Sequence, residues 1–239
     1  MKVSIIARRE LASAFNSPVA YIVAVAYLVF ASSWLFFLNQ YFAHNEASLR
    51  LYFSVIPVVF VFLVPALTMR SWAEERRMGT LEVLMTLPFR EGELVVGKFL
   101  GAFCLLAVVV ALSIPLPLTL SRLGSFDPGQ LVGQYIGVLL IGSAGLSVGL
   151  FVSSVSTNQI TSFILSGLCL LALTLAGQLP GLLSLPSWLG GLLGFLSFGF
   201  HFESFSRGII DSRDVLYFLL ASVLFLYLNM RVLTGRKSS

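Results

Sequence analysis

Between residues 128 and 202 the chain carries no Asp, Glu, Lys or Arg at all. Soluble proteins hold about a quarter of their residues charged. Here the share is 11%, against 57% hydrophobic residues and a mean hydropathy of +0.94. Two further runs, residues 51–69 and 99–121, are also free of these charges. Each is close to the roughly 20 residues a helix needs to cross about 30 Å of hydrocarbon. The chain therefore reads as an all-α integral membrane protein, one transmembrane domain over residues 1–239, with length for five to seven spans and none left for a separate catalytic domain.

Taken in order, residues 1–17 read as a helix lying on the membrane surface. Val3, Ala7, Leu11 and Ala14 share one side at helical spacing, flanked by Lys2, Arg8 and Arg9. Glu10 projects into that apolar side, either as a solvated end charge or as a counter-ion to a basic group on the next loop. Ser17-Pro18 turns the chain into the membrane. Six spans follow, at 19–38, 51–69, 94–120, 131–152, 160–179 and 215–230. The first closes in an aromatic belt of Trp34, Phe36, Phe37, Tyr41 and Phe42. Pro57 and Pro65 are expected to kink the second, and Pro115 and Pro117 to distort the end of the third. The polar run 153–159 separates the fourth from the fifth. Residues 181–213, broken by Pro186, Gly190, Gly191, Gly194 and Gly199, suit interfacial or re-entrant helices on the outer side. Asp211 or Ser212 then caps the last span. Cys104 and Cys169 fall in apolar runs and read as packed thiols.

Residues 70–98 break the apolar pattern with ten charged side chains. Ser71-Trp72-Ala73-Glu74 fits a capping box. Gly79 ends that helix, Thr80 caps a second with Glu82 in its first turn, and Pro88 stops it. Leu81, Leu84 and Met85 share a face of this second helix. Two readings stand: an ordinary helix lying on the membrane face, or one that seats in a groove of a soluble partner and passes force to spans two and three. With the N-terminus inside, the inner side collects eleven Lys and Arg residues (Lys2, Arg8, Arg9, Arg70, Arg76, Arg77, Arg90, Lys98, Arg231, Arg236, Lys237) and the outer side four (Arg50, Arg122, Arg207, Arg213). That asymmetry argues for an N-in, C-in chain. It also explains the pI of about 9.3 better than nucleic acid does, since the cations are spread along the chain.

The sequence has no phosphate-cradling G-x-x-x-x-G-K-[ST] loop; Gly97-Lys98-Phe99 lacks both the loop glycines and the hydroxyl. The spans are read as free of buried ionisable groups, which ion-coupled carriers use. Gly145-Leu146-Ser147-Val148-Gly149 matches the G-x-S-x-G of serine hydrolases, yet His44 and His201, the sole histidines, both map to outer loops. Gly142, Gly145 and Gly149 instead form a small-residue face for close helix packing. His201 with Glu203 is too isolated for a metal site and suits an outer-loop hydrogen bond.

The order Glu75-Arg76-Arg77-Met78-Gly79-Thr80-Leu81-Glu82, followed by Pro88 and Gly97-Lys98, resembles the E-x-x-x-G-T coupling segment of ABC-2 type transporter permeases. Glu10-Leu11, Phe15, Ser17-Pro18 and Ala20-Tyr21, with the His201 to Phe205 and Arg207-Gly208 motifs, are similar to the gliding-motility and nitrous-oxide-reductase-accessory branch of that family. The resemblance implies six spans, an N-terminal elbow helix and a pathway between two permeases, the second copy identical or homologous. It further implies a coupling segment at 71–88 gripped by cytoplasmic ATPase subunits. The docking residues would be Trp72, Glu74, Glu75, Arg76, Arg77, Gly79, Thr80, Leu81, Glu82 and Leu84. ATP and magnesium would be held by the partner, with no cofactor, metal or catalytic residue in this chain. The resemblance implies an exporter-type permease in a bacterial inner membrane, with an outer-side accessory protein as a further partner. A membrane scaffold that transmits force without moving solute, and an intramembrane hydrolase built on Ser147, are the other classes.

Overall fold

The computed structural model describes residues 2–38, 48–86, 89–122, 127–183 and 186–237. Tyr41, Phe42, His44 and Pro88 lie outside them, as does the side chain of Met85. The described residues form α1 (Lys2–Phe15), α2 (Pro18–Ser33), α3 (Arg50–Ser54), α4 (Ile56–Thr68), α5 (Ala73–Arg77), α6 (Thr80–Thr86) and α7 (Glu91–Ala111). Next come α8 (Pro115–Leu120), α9 (Pro128–Val155), α10 (Gln159–Leu175), α11 (Leu179–Leu183), α12 (Ser187–Leu196), α13 (Phe198–Ser206) and α14 (Ser212–Lys237). No strand occurs among the described residues. Six helical stretches are long and apolar enough to span a membrane: Pro18–Leu38, Ile56–Arg77, Glu91–Leu120, Pro128–Val155, Gln159–Gly181 and Ser212–Gly235.

The breaks follow local chemistry. Ser17 accepts from the Val19 N–H and caps α2, with Pro18 in the first turn, where its missing N–H costs nothing. Pro57 also sits in a first turn, so it starts α4 instead of kinking a longer span; only Pro65 lies inside. Residues 112–114 separate α7 from α8, which Pro115 opens in its first turn. Asn158 caps α10 by accepting from the Thr161 N–H at 2.8 Å. Asp211, not Ser212, caps α14 by accepting from the Arg213 N–H at 2.9 Å.

α9 is the central helix, packed by α4, α7, α10, α13 and α14. Lipid tails are as apolar as leucine, so helices in a bilayer associate where small residues let backbones come close. Gly142 leaves room for Leu106 of α7 and Phe60 of α4, Gly149 for Thr68, and Gly137 for Phe205 of α13, while a Cβ at Gly145 would stand 3.4 Å from Val64. The Ser143 and Ser222 hydroxyls, 3.2 Å apart, tie α9 to α14. The outer helices present Ile22 and Val25 of α2, Ile164 and Leu168 of α10, and Leu220 and Val223 of α14 to the surroundings. Cys104 is exposed on α7 rather than packed; Cys169 is half-buried.

Two polar assemblies stand at opposite ends of α9. Gln134, near its start, donates to the Ser206 carbonyl of α13 at 2.8 Å. Ser153, near its end, meets α5. At 1.5 Å per residue these positions are about 28 Å apart, close to the thickness of the hydrocarbon layer.

Candidate functional site

The charged segment is held by one buried cation. Lys98 lies two turns into α7 and is 3% exposed. Its Nζ donates to Glu10 Oε1 at 3.0 Å, Glu75 Oε1 at 2.8 Å and the Ser71 carbonyl at 2.8 Å, and stands 4.7 Å above the Trp72 ring. An ammonium has three N–H donors, and all three are used. One side chain thus joins α1, the turn before α5, α5 itself and α7. Glu10 is therefore a counter-ion, but to a lysine inside the third span rather than to a basic group on a loop. The spans are not free of buried ionisable groups either: Lys98 falls inside the third span, and Asp214, 7% exposed, inside the last. Each is tolerated because it is paired.

α1 reaches Lys98 by lying against two glycines. A Cβ at Gly97 would stand 2.6 Å from Ile6, and one at Gly101 2.7 Å from Glu10. Only at this approach does the short carboxylate of Glu10 meet the ammonium.

α5 is capped from a distant part of the chain. The Trp72 and Ala73 N–H groups donate to Ser153 Oγ at 3.2 and 3.3 Å. Ser71 makes no cap and Glu74 closes no capping box. Instead Ser153 supplies the acceptor that a helix start requires. In return Arg76 Nη1 donates to the Val155 and Ser156 carbonyls, 3.1 and 3.2 Å away, which the end of α9 leaves unpaired. Gly79 has φ +70°, a backbone shape costly for other residues, and turns the chain from α5 into α6. The Thr80 hydroxyl donates to the Glu75 carbonyl at 3.2 Å. Leu81 then plugs a small core of Ile6, Trp72, Leu94, Val95 and Leu150.

These contacts divide the ten expected docking residues. Trp72 and Leu81 are interior, Glu75 faces Lys98, and Arg76 braces α9. Glu74 stands 4.0 Å from Arg70, and Leu84 is half-buried. Arg77, Gly79, Thr80 and Glu82 are exposed, beside Met78 (61% exposed) and Val83 (64%).

At the other end of α9, His201 does not pair with Glu203 in a loop. It is buried, with Nδ1 2.7 Å from Asp214 Oδ1, Nε2 3.0 Å from the Phe195 carbonyl, and its ring stacked 3.8 Å from Tyr217. Glu203 instead pairs with Arg207 and faces Arg50 at 3.8 Å. The Ser147 hydroxyl is buried and donates to the Ala144 carbonyl of its own helix at 2.7 Å, as a packing serine does. Among the described residues no group of three His, Cys, Asp or Glu could hold a metal ion. Residue spacing missed Lys98 and Ser153; the one visible signal was a lone lysine between Gly97 and Gly101 at the start of an apolar run.

A family model described as ABC-2 family transporter protein matches residues 3–187. The match takes in α1, the Lys98 cluster and α9, but stops before His201 and does not reach the gliding-motility branch. No curated protein matches the chain.

Proposed function

The chain belongs to the ABC-2 family of transporter proteins, and from that premise we propose that it is the permease subunit of an ATP-driven exporter, worked through α5 and α6 by a separate ATPase. The observation that carries this reading is the split character of that hairpin. Its tip offers Arg77, Met78, Thr80, Glu82 and Val83 to a partner, while its base is locked to α1, α7 and α9. A groove that closes on the tip therefore moves three elements together. A flexible loop would absorb the same push.

The orientation consistent with this reading has both termini and the hairpin in the cytoplasm of a bacterium, supported by eleven Lys and Arg on that side against four. ATP and magnesium are bound by the ATPase, and a second permease, identical or homologous, completes the pathway. The elbow role falls to α1, which lies across the base of the third span.

The test uses only exposed positions. Arg77→Glu with Glu82→Lys is expected to abolish co-purification with the ATPase and transport-linked hydrolysis while the chain folds normally. Unchanged assembly and hydrolysis would reject the docking role. Coupled hydrolysis in vesicles without solute flux would turn the reading into that of a force-transmitting scaffold.

A further inference from the structure

α12 is ten residues long, carries no charge and has not one buried side chain. It is too short to cross a bilayer and presents Trp188, Leu192 and Phe195 outward, so it lies at the membrane boundary. It packs on residues 176–178, α11 and α13. Its end is fixed by two donors from neighbouring helices. A helix leaves its last carbonyls without partners of its own. Here the Phe195 carbonyl stands 3.0 Å from His201 Nε2, and the Leu196 carbonyl accepts from the Tyr217 hydroxyl at 2.7 Å.

The two donors differ in kind. A tyrosine hydroxyl carries its own proton, but a neutral imidazole has one N–H, and His201 faces two acceptors, the Phe195 carbonyl and Asp214 Oδ1. An ionised acceptor makes the stronger hydrogen bond. On losing a proton the ring therefore keeps its N–H at Asp214 and turns a lone pair on the Phe195 oxygen, and two acceptors at 3.0 Å repel. The ring has no room to turn away. It is stacked on Tyr217 and flanked edge-on by Phe195, Phe200 and Phe218. The other charges nearby are engaged: Arg50 of α3 faces Glu203, Glu203 pairs with Arg207, and Asp211 caps α14. α4, α9, α10 and α12 hold no Asp, Glu, Lys or Arg. The remaining titratable side chains on the elements packed around α13 are Tyr52 of α3, Tyr135 of α9, 3.1 Å from the Ser113 hydroxyl, and Cys169 of α10.

We infer that α12 is a flap latched by the second proton on His201: docked while the ring is doubly protonated, released toward the lipid surface as pH rises. Release is cheap, because an apolar helix that leaves α13 remains in contact with the bilayer boundary. The pH that counts is on the side of the membrane where α9 begins, away from the α5–α6 hairpin. The latch needs no ATPase, so it and the permease reading fail separately.

The test is a spin-label distance in the full-length chain in lipid nanodiscs, with Cys104 and Cys169 replaced by Ser. Leu192→Cys labels α12 and Val155→Cys the far end of α9, both at exposed positions. One distance is expected at about pH 5, and a second population should replace it by about pH 9, a range that brackets histidine titration. Tyr217→Phe removes the other donor and should move the transition to lower pH. At a given pH within it, the released population should rise about fivefold, the worth of one neutral hydrogen bond. His201→Gln should abolish the pH dependence, and Glu203→Gln should leave it unchanged. If His201→Gln fails to fold, the shift in Tyr217→Phe set against none in Glu203→Gln decides. A single unchanged distance across the pH range would overturn the latch. So would a pH response that survives His201→Gln, a transition unmoved by Tyr217→Phe, or one moved as far by Glu203→Gln.

Discussion

Lys98 is held by charge and by geometry, and the two can be separated. Removing its ammonium leaves Glu10 and Glu75 facing each other at a site with little water; losing one partner of a buried pair costs about 3–5 kcal/mol. Lys98→Met is thus expected to lower the midpoint of thermal unfolding in detergent sharply. Adding Glu10→Gln and Glu75→Gln should recover most of the loss, because neutral amides no longer need a cation. If the single and triple variants melt alike, the cluster is not what holds this end. His201 presents a parallel case at the other end: both ring nitrogens face acceptors, Asp214 and the Phe195 carbonyl. Only the doubly protonated ring donates to both at once. Neither lysine nor histidine declared its partner by spacing, since Glu10 is 88 residues from Lys98, and Asp214 is 13 residues from His201, past the rest of α13 and the turn that follows it.

At the scale of elements, the mounting of α1 on α7 decides whether the Lys98 cluster can form. Gly97 has no Cβ, and the vacated space is filled by Ile6. Gly97→Ala should push α1 off, exposing the chain near Phe15 to protease and weakening the Glu10 contact. Pairing it with Ile6→Gly removes both clashing atoms, Cγ2 and Cβ, and is expected to restore protection; a double variant as sensitive as the single one would show that the approach is not limited by this pair. The capping of α5 by Ser153 is a second lesson about elements. The Ser71 to Glu74 pattern has the right letters for a self-contained cap, but the N–H groups of Trp72 and Ala73 face the end of α9. A motif supplies acceptors, and packing selects which acceptor is in reach. Pro57 differs in the same way, since α3 ends before it and the proline opens a helix instead of bending one.

For the whole molecule, the two polar assemblies at either end of α9 predict a labelling pattern. In a background with Cys104 and Cys169 replaced by Ser, a cysteine at Glu82 and one at Glu203 should react with a membrane-impermeant maleimide from opposite faces of sealed vesicles. Reaction from the same face would contradict an α9 that spans the bilayer. Six apolar spans were legible in the chain because a bilayer requires each crossing segment to satisfy its own backbone, which makes length and hydropathy of a local stretch sufficient. The exposed half of the candidate site, Arg77, Gly79, Thr80 and Glu82, was legible for a similar reason: a charged, glycine-punctuated stretch between apolar runs cannot be buried in lipid. The tertiary structure alone decided the rest: that Lys98 binds Glu10, Glu75 and the Ser71 carbonyl, that α9 is the centre, that Ser153 caps α5, and that a cavity opens between α1 and the α5–α6 hairpin. Those contacts join residues up to 88 positions apart, and no local period carries that information. It arises when glycines bring helices close enough for short side chains to meet.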